Sequence, residues 1–337
     1  MTFQGVPHTI IELRSQFIAS SSKVKRSLDN LSTFRVKSSM LEYITTLFIN
    51  AAIFALFSLG LNLQWGFAGL VNFGHVAFMT IGAYTTVLLT LNGVPWFFAL
   101  LIAAAIAGLL GIIIGSTALK LREDYLGIVT IGVSEMIRLF VNNEEWLTKG
   151  TRGVQDFPLP LVNLVSRQYY SFVLAALLLV VVVVVYWRLE WLVRSPWGRV
   201  LKAIREDEEV VKALGKNVFW YKLQAFAIGG AIGGLAGAFY AWQLTTVYPD
   251  NFISLLTFQA WTIIAIGGAG NNLGVILGAV IFQAYNALPR FLPEQIRADG
   301  GRFEAIQLMM IGLTLILLML WRPQGILGNK DELTLNR

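Results

Sequence analysis

Ionisable and amide side chains inside apolar stretches are the residues of this sequence that could carry chemistry. Glu135 and Arg138 lie three residues apart in an apolar segment, a spacing at which they can pair on one helical face. Ionisable residues inside a bilayer are costly and usually face a cavity or one another. Two interpretations follow: an internal ion pair near the end of a span, or a contact for a zwitterionic substrate.

Residues 66–75 form a Gly-rich stretch that carries Asn72 and His75 and is too polar for an ordinary membrane span. Such a stretch predicts a short or broken helix, because non-helical backbone at membrane depth must find other hydrogen-bond partners. For His75, a hydrogen bond across helices is the plainer interpretation and a place on a transport pathway is the other. The same two interpretations apply to Asn271 and Asn272.

A weak internal repeat relates this stretch to residues 267–274. Both contain Gly-x-Ala-Gly followed by Asn and Gly, the second copy being shorter, and an apolar segment with a tyrosine follows each, at Tyr84 and Tyr285. In duplicated transporters, corresponding Gly-interrupted segments of the two halves indicate the translocation path. We therefore predict that both stretches line one pathway. The candidate pathway residues are Asn72, His75, Tyr84, Glu135, Arg138, Asn271 and Asn272.

The overall composition identifies the class of protein. Apolar residues make up 56% of the chain and charged residues 14%, whereas a soluble domain has about 45–50% and about 25%. This excludes a soluble globular domain and intrinsic disorder. The chain has no cysteine and two histidines, so we expect no metal and no cofactor. We attribute the net charge of +6 to basic residues in the cytoplasmic loops of a membrane protein, and not to a nucleic-acid binding surface.

The apolar segments predict an all-α polytopic membrane protein with about eight to ten transmembrane helices, some of them short or broken. Residues 1–40 are predicted to be a cytoplasmic tail, residues 41–328 the membrane domain, and residues 329–337 a second cytoplasmic tail. Dividing residues 64–91 into two short elements gives the even number of crossings that a cytoplasmic N terminus requires. The other predicted spans are 41–62, 95–119, 125–141, 169–187, 223–245, 252–267, 272–292 and 303–321.

Residues 188–222 form the longest charged stretch, which the Lys/Arg bias assigns to the cytoplasmic side. Pro196 suits a helix start and Gly215 a C-terminal cap, so an amphipathic helix is predicted over 197–214. Its apolar stripe must rest on a surface. The acids at 206–209 disfavour an anionic lipid headgroup, so a partner protein is the favoured cover. The stripe comprises Val200, Leu201, Ile204, Val211 and Leu214.

The span after this loop contains a doubled Gly-xxx-Gly pattern, which lets helix backbones approach closely. Tight packing inside one subunit is the favoured interpretation, and a dimer face or a sliding contact is the alternative. The pattern comprises Gly229, Gly230, Gly233, Gly234 and Gly237.

At these same segments the sequence resembles the LivM-like permease subunits of branched-chain and neutral amino acid ABC importers. The resemblance covers roughly residues 41–328, and the motifs are specific only in combination. Lys149 stands where the family pattern has glycine. The matching motifs are Gly60-Leu-Asn62, Gly66-x-x-Gly69-Leu-Val-Asn-Phe-Gly-His75, Gly82-Ala-Tyr84, Leu121-Arg122-x-x-Tyr125 with Thr130 and Glu135, Leu147-Thr148-x-Gly150-x-x-Gly153, Arg205-Glu206-Asp207-Glu208 with Ala213-x-Gly215, Lys222-x-x-Ala225-Phe226, Gly267-Gly-x-Gly270 and Arg322-Pro323-x-Gly325-Ile326-x-Gly328.

The resemblance implies an ABC importer permease in the plasma (bacterial inner) membrane with both termini inside. A second homologous permease would complete the pathway, two cytoplasmic ABC ATPases would drive it, and a periplasmic or lipid-tethered binding protein would deliver the amino acid. The helix at 197–214 would be the coupling helix. Its candidate ATPase contacts are Ile204, Arg205, Glu206, Asp207, Val211 and Gly215.

Three alternatives stay open at this point. A urea or short-chain amide permease of the same family is the nearest. An ion-coupled secondary transporter would need intramembrane carboxylates, and Glu135 is the only acid well inside an apolar segment. A membrane-embedded enzyme would need a polar constellation near one face, and none is seen. No P-loop motif occurs, so we expect no ATP hydrolysis by this chain alone.

Overall fold

The computed structural model describes most of the chain beyond residue 39. By contacts the chain divides into a unit of residues 1–46, of which 40–46 are described and helical, and a unit of residues 47–337. Of the tail predicted over residues 1–40, residues 1–39 lie outside the described residues, and Met40 is helical. These are residues 40–121, 123–162, 165–166, 169–287, 309, 312–313, 316–317, 320 and 324–328.

Helices dominate the described part, which confirms the all-α polytopic class. Among the described residues, five helices are long and apolar enough to cross a membrane, and a pair bent by 115° adds a sixth span if it is counted as one. The predicted total of eight to ten stays a prediction, because only six residues of 303–321 are described. The helices are α1 (Met40–Phe67), α2 (Val76–Leu91), α3 (Trp96–Ala118), α4 (Glu123–Asn143), α5 (Glu145–Thr148), α6 (Tyr170–Arg194), α7 (Pro196–Glu206), α8 (Glu208–Ala213), α9 (Val218–Leu244) and the bent pair α10 (Leu255–Gly267) and α11 (Asn272–Ala287).

Two short strands lie at one end of the bundle. Strand β1 (Val154–Gln155) pairs antiparallel with β2 (Thr246–Val247), and 3-10 turns at Gly150–Arg152 and Pro249–Asn251 flank them. The strands join the loop after α5 to the end of α9. Lys149, in that loop, adopts a φ of 59°. This is the left-handed region that favours glycine, the residue that the family pattern has at this position.

The core is built around α9, which packs against α1, α2 and α3. Gln64 of α1 donates from Nε2 to the Phe226 carbonyl at 2.9 Å, and a Cβ added to Gly60 would lie 2.6 Å from the Gly229 carbonyl oxygen. Helix α1 therefore runs antiparallel to α9. The glycines of α9 face neighbouring helices of the same chain, as the favoured interpretation of the Gly-xxx-Gly pattern predicted. Large rings fill the space between them: Phe57, Phe78, Phe226, Phe239 and Trp242.

The connection between α1 and α2 differs from the prediction. The last turn of α1 is a π-helix over Leu63–Phe67, residues 68–75 are not helical, and one helix of 16 residues follows. Two short elements over residues 64–91 were expected, and that expectation is wrong. Side chains from distant helices satisfy part of the backbone in this break, so no second helix is required.

Candidate functional site

The break at residues 68–75 is held by hydroxyl groups from other helices. The backbone N–H of Phe73 donates to Thr130 Oγ1 of α4 at 3.2 Å, and that of Val76 donates to Thr257 Oγ1 of α10 at 2.9 Å. Within the break, the Asn72 carboxamide oxygen accepts from the Gly74 N–H at 2.9 Å. The break is therefore a fixed structure that links α1, α4 and α10.

A chain of amides continues from the break into the core. Asn72 donates from Nδ2 to Gln64 Oε1 at 2.8 Å, and Gln64 donates in turn to the Phe226 carbonyl. Trp261 of α10 donates from Nε1 to the Asn72 carbonyl at 3.1 Å. Gln64, which is fully buried, was not among the predicted residues. A glutamine within an apolar span is itself an indication of a functional or hydrogen-bonded position.

The two stretches of the predicted repeat meet in space. Asn62 donates from Nδ2 to Asn272 Oδ1 at 3.1 Å and accepts at Oδ1 from the Gly270 N–H at 3.0 Å. Asn272 then donates from Nδ2 to Glu190 Oε2 of α6 at 3.2 Å. A Cβ on Gly66 would lie 2.5 Å from the Gly270 nitrogen, so glycine is needed for this approach. Asn62 and Glu190 complete the contact and were not predicted.

Most of the predicted pathway residues are buried in the described conformation. The exposed fraction is 1% for Asn72, 0% for His75, 3% for Tyr84 and 2% for Asn272. Asn271 donates from Nδ2 to the Leu327 carbonyl at 2.8 Å. Asn271 and Asn272 both form hydrogen bonds to other segments of the chain, which is the first of the two interpretations given for them.

His75 differs from the asparagines because its surroundings are mainly aromatic rings and glycines. Its ring packs 4.8 Å from Phe57 and 5.4 Å from Phe78, centroid to centroid. Neither ring nitrogen has a hydrogen-bond partner in the part of the chain that the structure describes. The hydrogen bond across helices therefore stays a prediction for His75. The ring lies beside glycines, and a Cβ on Gly60 or Gly233 would lie 3.1 or 3.2 Å from its Nε2.

The predicted ion pair in α4 is present and has a third member. Arg138 contacts Glu135 at 2.6 Å and Asp250 at 3.0 Å. Asp250 lies in the 3-10 turn before α10, so the pair joins α4 to that turn. The exposed fractions are 20% for the Arg138 side chain, 43% for Glu135 and 86% for Asp250. Among the described residues, no group of three His, Asp or Glu side chains is arranged to hold a metal ion.

Four aromatic rings surround the break. Trp65 of α1 lies 4.2 Å from Trp261, and Phe73 lies 5.0 Å from Trp261 and 5.6 Å from Phe258, centroid to centroid. We call Trp65, Phe73, Phe258 and Trp261 the aromatic cluster. All four are partly exposed, although they lie among membrane-spanning helices. Sequence patterns did not single them out, because three separate segments contribute them.

The charged loop after α6 contains two helices and not the single one predicted over 197–214. Helix α7 begins with Pro196 and ends at Glu206, and the Asp207 side chain then caps α8 by accepting the N–H groups of Glu209 and Val210. Gly215 ends the second helix with a φ of 74°. The predicted start and stop residues are confirmed, and the aspartate cap is the reason for the division.

The apolar stripe of this loop is covered by the chain itself. Leu201, Ile204 and Val211 are 0%, 3% and 3% exposed, because α7 packs against α6, α9 and the end of α1 and α8 packs against α9. The interpretation that a partner protein must cover these side chains is therefore wrong. Val210 and Leu214, by contrast, are 54% and 74% exposed, and they offer an apolar surface on the outer side of α8.

Ion pairs and hydrogen bonds fix this loop to the membrane helices. Arg205 donates to the Gly66 carbonyl at the end of α1. Glu208 pairs with Lys222 of α9 and with Lys212. Burial alone would raise the pKa of Glu208, but hydrogen bonds and positive charge from the two lysines outweigh it, so this pKa lies below its usual value. Hydrogen bonds to Glu209 and Glu208 raise the pKa of Lys212.

Comparison with known proteins matches residues 43–319 to the family described as "Branched-chain amino acid transport system / permease component". LivM of Escherichia coli, a high-affinity branched-chain amino acid transport permease, is 32% identical over 82% of this chain and 68% of its own length. A probable LivM of Methanocaldococcus jannaschii is 28% identical over 87% and 96%. The guanosine permease NupQ of Bacillus subtilis is more distant, at 26% identity over 67% and 78%. No solved structure matches significantly.

Proposed function

Because the chain belongs to the branched-chain amino acid transport permease family, we propose that it forms one half of the pathway through which an ATP-driven importer takes up branched-chain or other neutral amino acids. It is a multi-pass inner-membrane permease component. The ion-coupled alternative finds no support in this family. The urea or amide alternative and the cytoplasmic placement of both termini stay predictions.

The contact between the two Gly-rich breaks is the observation that supports a pathway role most directly. Transporters place substrate sites near the membrane midplane where discontinuous helices meet. Here the end of α1, which leads into the break at 68–75, is joined to the break at 268–271: Asn62 bonds to Gly270 and to Asn272, and both asparagines are buried. Asn272 takes part in this junction and Asn72 bonds to Gln64 beside it, and these contacts support the proposal that the two breaks border one pathway.

We further propose that α7 and α8 carry the contact with the ATPase subunits. Arg205, Glu206, Asp207 and Gly215 lie on the exposed surface of this loop. Ile204 and Val211, also predicted as contacts, lie beneath that surface and position it. The expected partners remain a second permease, two ABC ATPases and a substrate-binding protein. Without a P-loop, this chain supplies no nucleotide site of its own.

Reconstitution tests the transport proposal. The permease pair, the ATPases and the binding protein are placed in proteoliposomes, and uptake of radiolabelled leucine is measured. We expect uptake that requires ATP, is blocked by vanadate and is indifferent to an uncoupler. Uptake abolished by the uncoupler and retained without the ATPases would overturn the proposal.

Two variants test the coupling surface. Leu214→Asp places a charge on the exposed side of α8 and should reduce co-purification of the ATPases at least tenfold without altering membrane insertion. Trp146→Asp is the matched control, because Trp146 is 79% exposed but belongs to α5 at the other end of α4 and α6. Normal ATPase stoichiometry with Leu214→Asp would show that the contact lies elsewhere.

A further inference from the structure

Two helical stripes that contain partly exposed residues flank the break at residues 68–75. On α4, Gly127, Ile131, Glu135 and Arg138 follow one another at spacings of four and three, so they share one face. On α10, Phe258 and Trp261 share a face in the same way. Phe73 packs against both, because a Cβ on Gly127 would lie 2.9 Å from the Phe73 ring and its ring contacts both α10 aromatics.

Away from the break, Arg138 of the α4 stripe bonds to Asp250 in the turn before α10. Because Phe73 contacts both stripes, the α4 stripe, the break and the α10 stripe are contiguous, and we call the strip that they form the groove. Charged groups occupy one end of the groove, and the aromatic cluster occupies its middle. The other end lies next to Gly69, where Arg205 of α7 is in van der Waals range of an added Cβ at 3.3 Å.

Two observations indicate that this groove faces water or substrate and not lipid. First, Glu135 and Arg138 are partly exposed within a span, and ionisable side chains at such depth face a cavity or protein interior. Second, the non-helical residues Gly69, Val71 and Phe73 of the break are partly exposed. Irregular backbone at membrane depth is tolerated only where protein buries it or where it lines an aqueous cavity.

We propose that the aromatic cluster binds the apolar side chain of the amino acid during its passage and so selects for apolar substrates within the permease itself. Rings supply a large apolar surface that a hydrocarbon side chain can bury. The carboxylates and the guanidinium at the charged end match the ammonium and carboxylate of a zwitterion before it moves to the rings. This proposal rests on the pathway role proposed above and assigns the selective contact to Trp65, Phe73, Phe258 and Trp261.

The absence of native cysteine allows a clean test in the full reconstituted complex. Phe258→Cys places a thiol in the groove, since Phe258 is 45% exposed. Phe140→Cys is the matched control: Phe140 is 51% exposed but lies on the α4 face that lines an apolar groove against α3. Labelling is measured with a membrane-impermeant cationic methanethiosulfonate, with and without saturating L-leucine.

We expect Phe258→Cys to react, at a rate that leucine lowers at least tenfold and aspartate does not, while Phe140→Cys stays unlabelled. Reaction without leucine protection would refute the aromatic contact and leave the pathway proposal standing. No reaction in any transport state would show that lipid or the second permease covers the groove. That result would refute both the aromatic contact and the pathway role proposed for this region. Ile131→Cys, on the opposite wall, provides the same readout if Phe258→Cys does not assemble.

Discussion

Replacing Gly229 by alanine should destabilise the protein far more than a single methyl group normally does. Gly229 lies in the middle of α9, where α1 crosses it. A Cβ there would be 2.6 Å from the Gly60 carbonyl oxygen and 2.7 Å from Gln64 Cγ. The first of these is backbone, which cannot rotate away. Helices α1 and α9 must therefore move apart to admit the methyl group.

The size of the effect follows from these distances. Ordinary contact requires about 3.4–3.5 Å, so the helices must separate by roughly 0.8 Å, and overpacking of this kind costs about 1–3 kcal/mol. The separation also lengthens the buried bond from Gln64 to the Phe226 carbonyl, and an unpaired buried amide costs about 1–3 kcal/mol. Alanine has a higher helix propensity than glycine, and this difference stabilises the helix by about 1 kcal/mol. We expect a net loss of about 1–5 kcal/mol.

Thermal stability of the purified chain in detergent measures this loss. Gly132→Ala is the matched control, since Gly132 lies inside α4 and nothing lies within 4 Å of its added Cβ. Gly229→Ala should lower the apparent melting temperature by several degrees, and Gly132→Ala should leave it unchanged or raise it slightly. If both variants melt at or above the parent temperature, the close approach of α1 and α9 does not have the energetic role assigned to it.

Four further outcomes are expected. Gly215→Val should strain the left-handed residue after α8 by about 1–3 kcal/mol, whereas Gly215→Asn should be tolerated; hydrogen exchange of α8 measures the difference. Lys222→Met should loosen α8 by about 1–2 kcal/mol in the same assay. Because the pKa of Glu208 is lowered, its pair with Lys222 should stabilise α8 above the usual carboxyl pKa and be lost only as pH falls through the lowered value; equal exchange at neutral and strongly acidic pH would contradict this. Asn62→Leu should remove the partner of the Gly270 N–H and of Asn272 Oδ1 and cost about 1–3 kcal/mol of stability; an unchanged melting temperature would contradict it.

Local patterns predicted the parts of the fold that depend on local chemistry. The long apolar segments became helices, Pro196 begins α7, and Gly215 ends α8 with the positive φ that its cap requires. The glycines of α9 face neighbouring helices because only small residues admit such close backbones. These features are set by residues within one or two turns of each other, which is the range over which a sequence pattern is informative.

The connection between α1 and α2 shows where local patterns stop being sufficient. The Gly, Asn and His composition predicted a break but not its form. Its backbone is satisfied by Thr130 and Thr257, which lie far away in the chain. The same limit applies to the stripe of α7 and α8. Amphipathic spacing predicts that some surface covers Ile204 and Val211. It does not distinguish a surface of the same chain from one of a partner protein.

The candidate site follows the same division. The Glu135–Arg138 pair could be predicted from its i, i+3 spacing, whereas Asp250 joins it from 112 residues away. The aromatic cluster draws its rings from three segments, and aromatic residues are common throughout this sequence. No local signal distinguishes these four from the rings that only fill the core.

The π-helical turn at Leu63–Phe67 has a geometric consequence for the junction that follows it. A π-turn holds more residues than an α-turn, and such turns often occur at functional sites. Rewinding this turn to α-helical geometry would advance the following chain by one residue, which is about 100° of rotation and about 1.5 Å of rise. Arg205 bonds to the Gly66 carbonyl within this very turn. The loop that carries α7 and α8 is thus attached to α1 at the π-helical turn, where a small change in helical register reorients the break that follows.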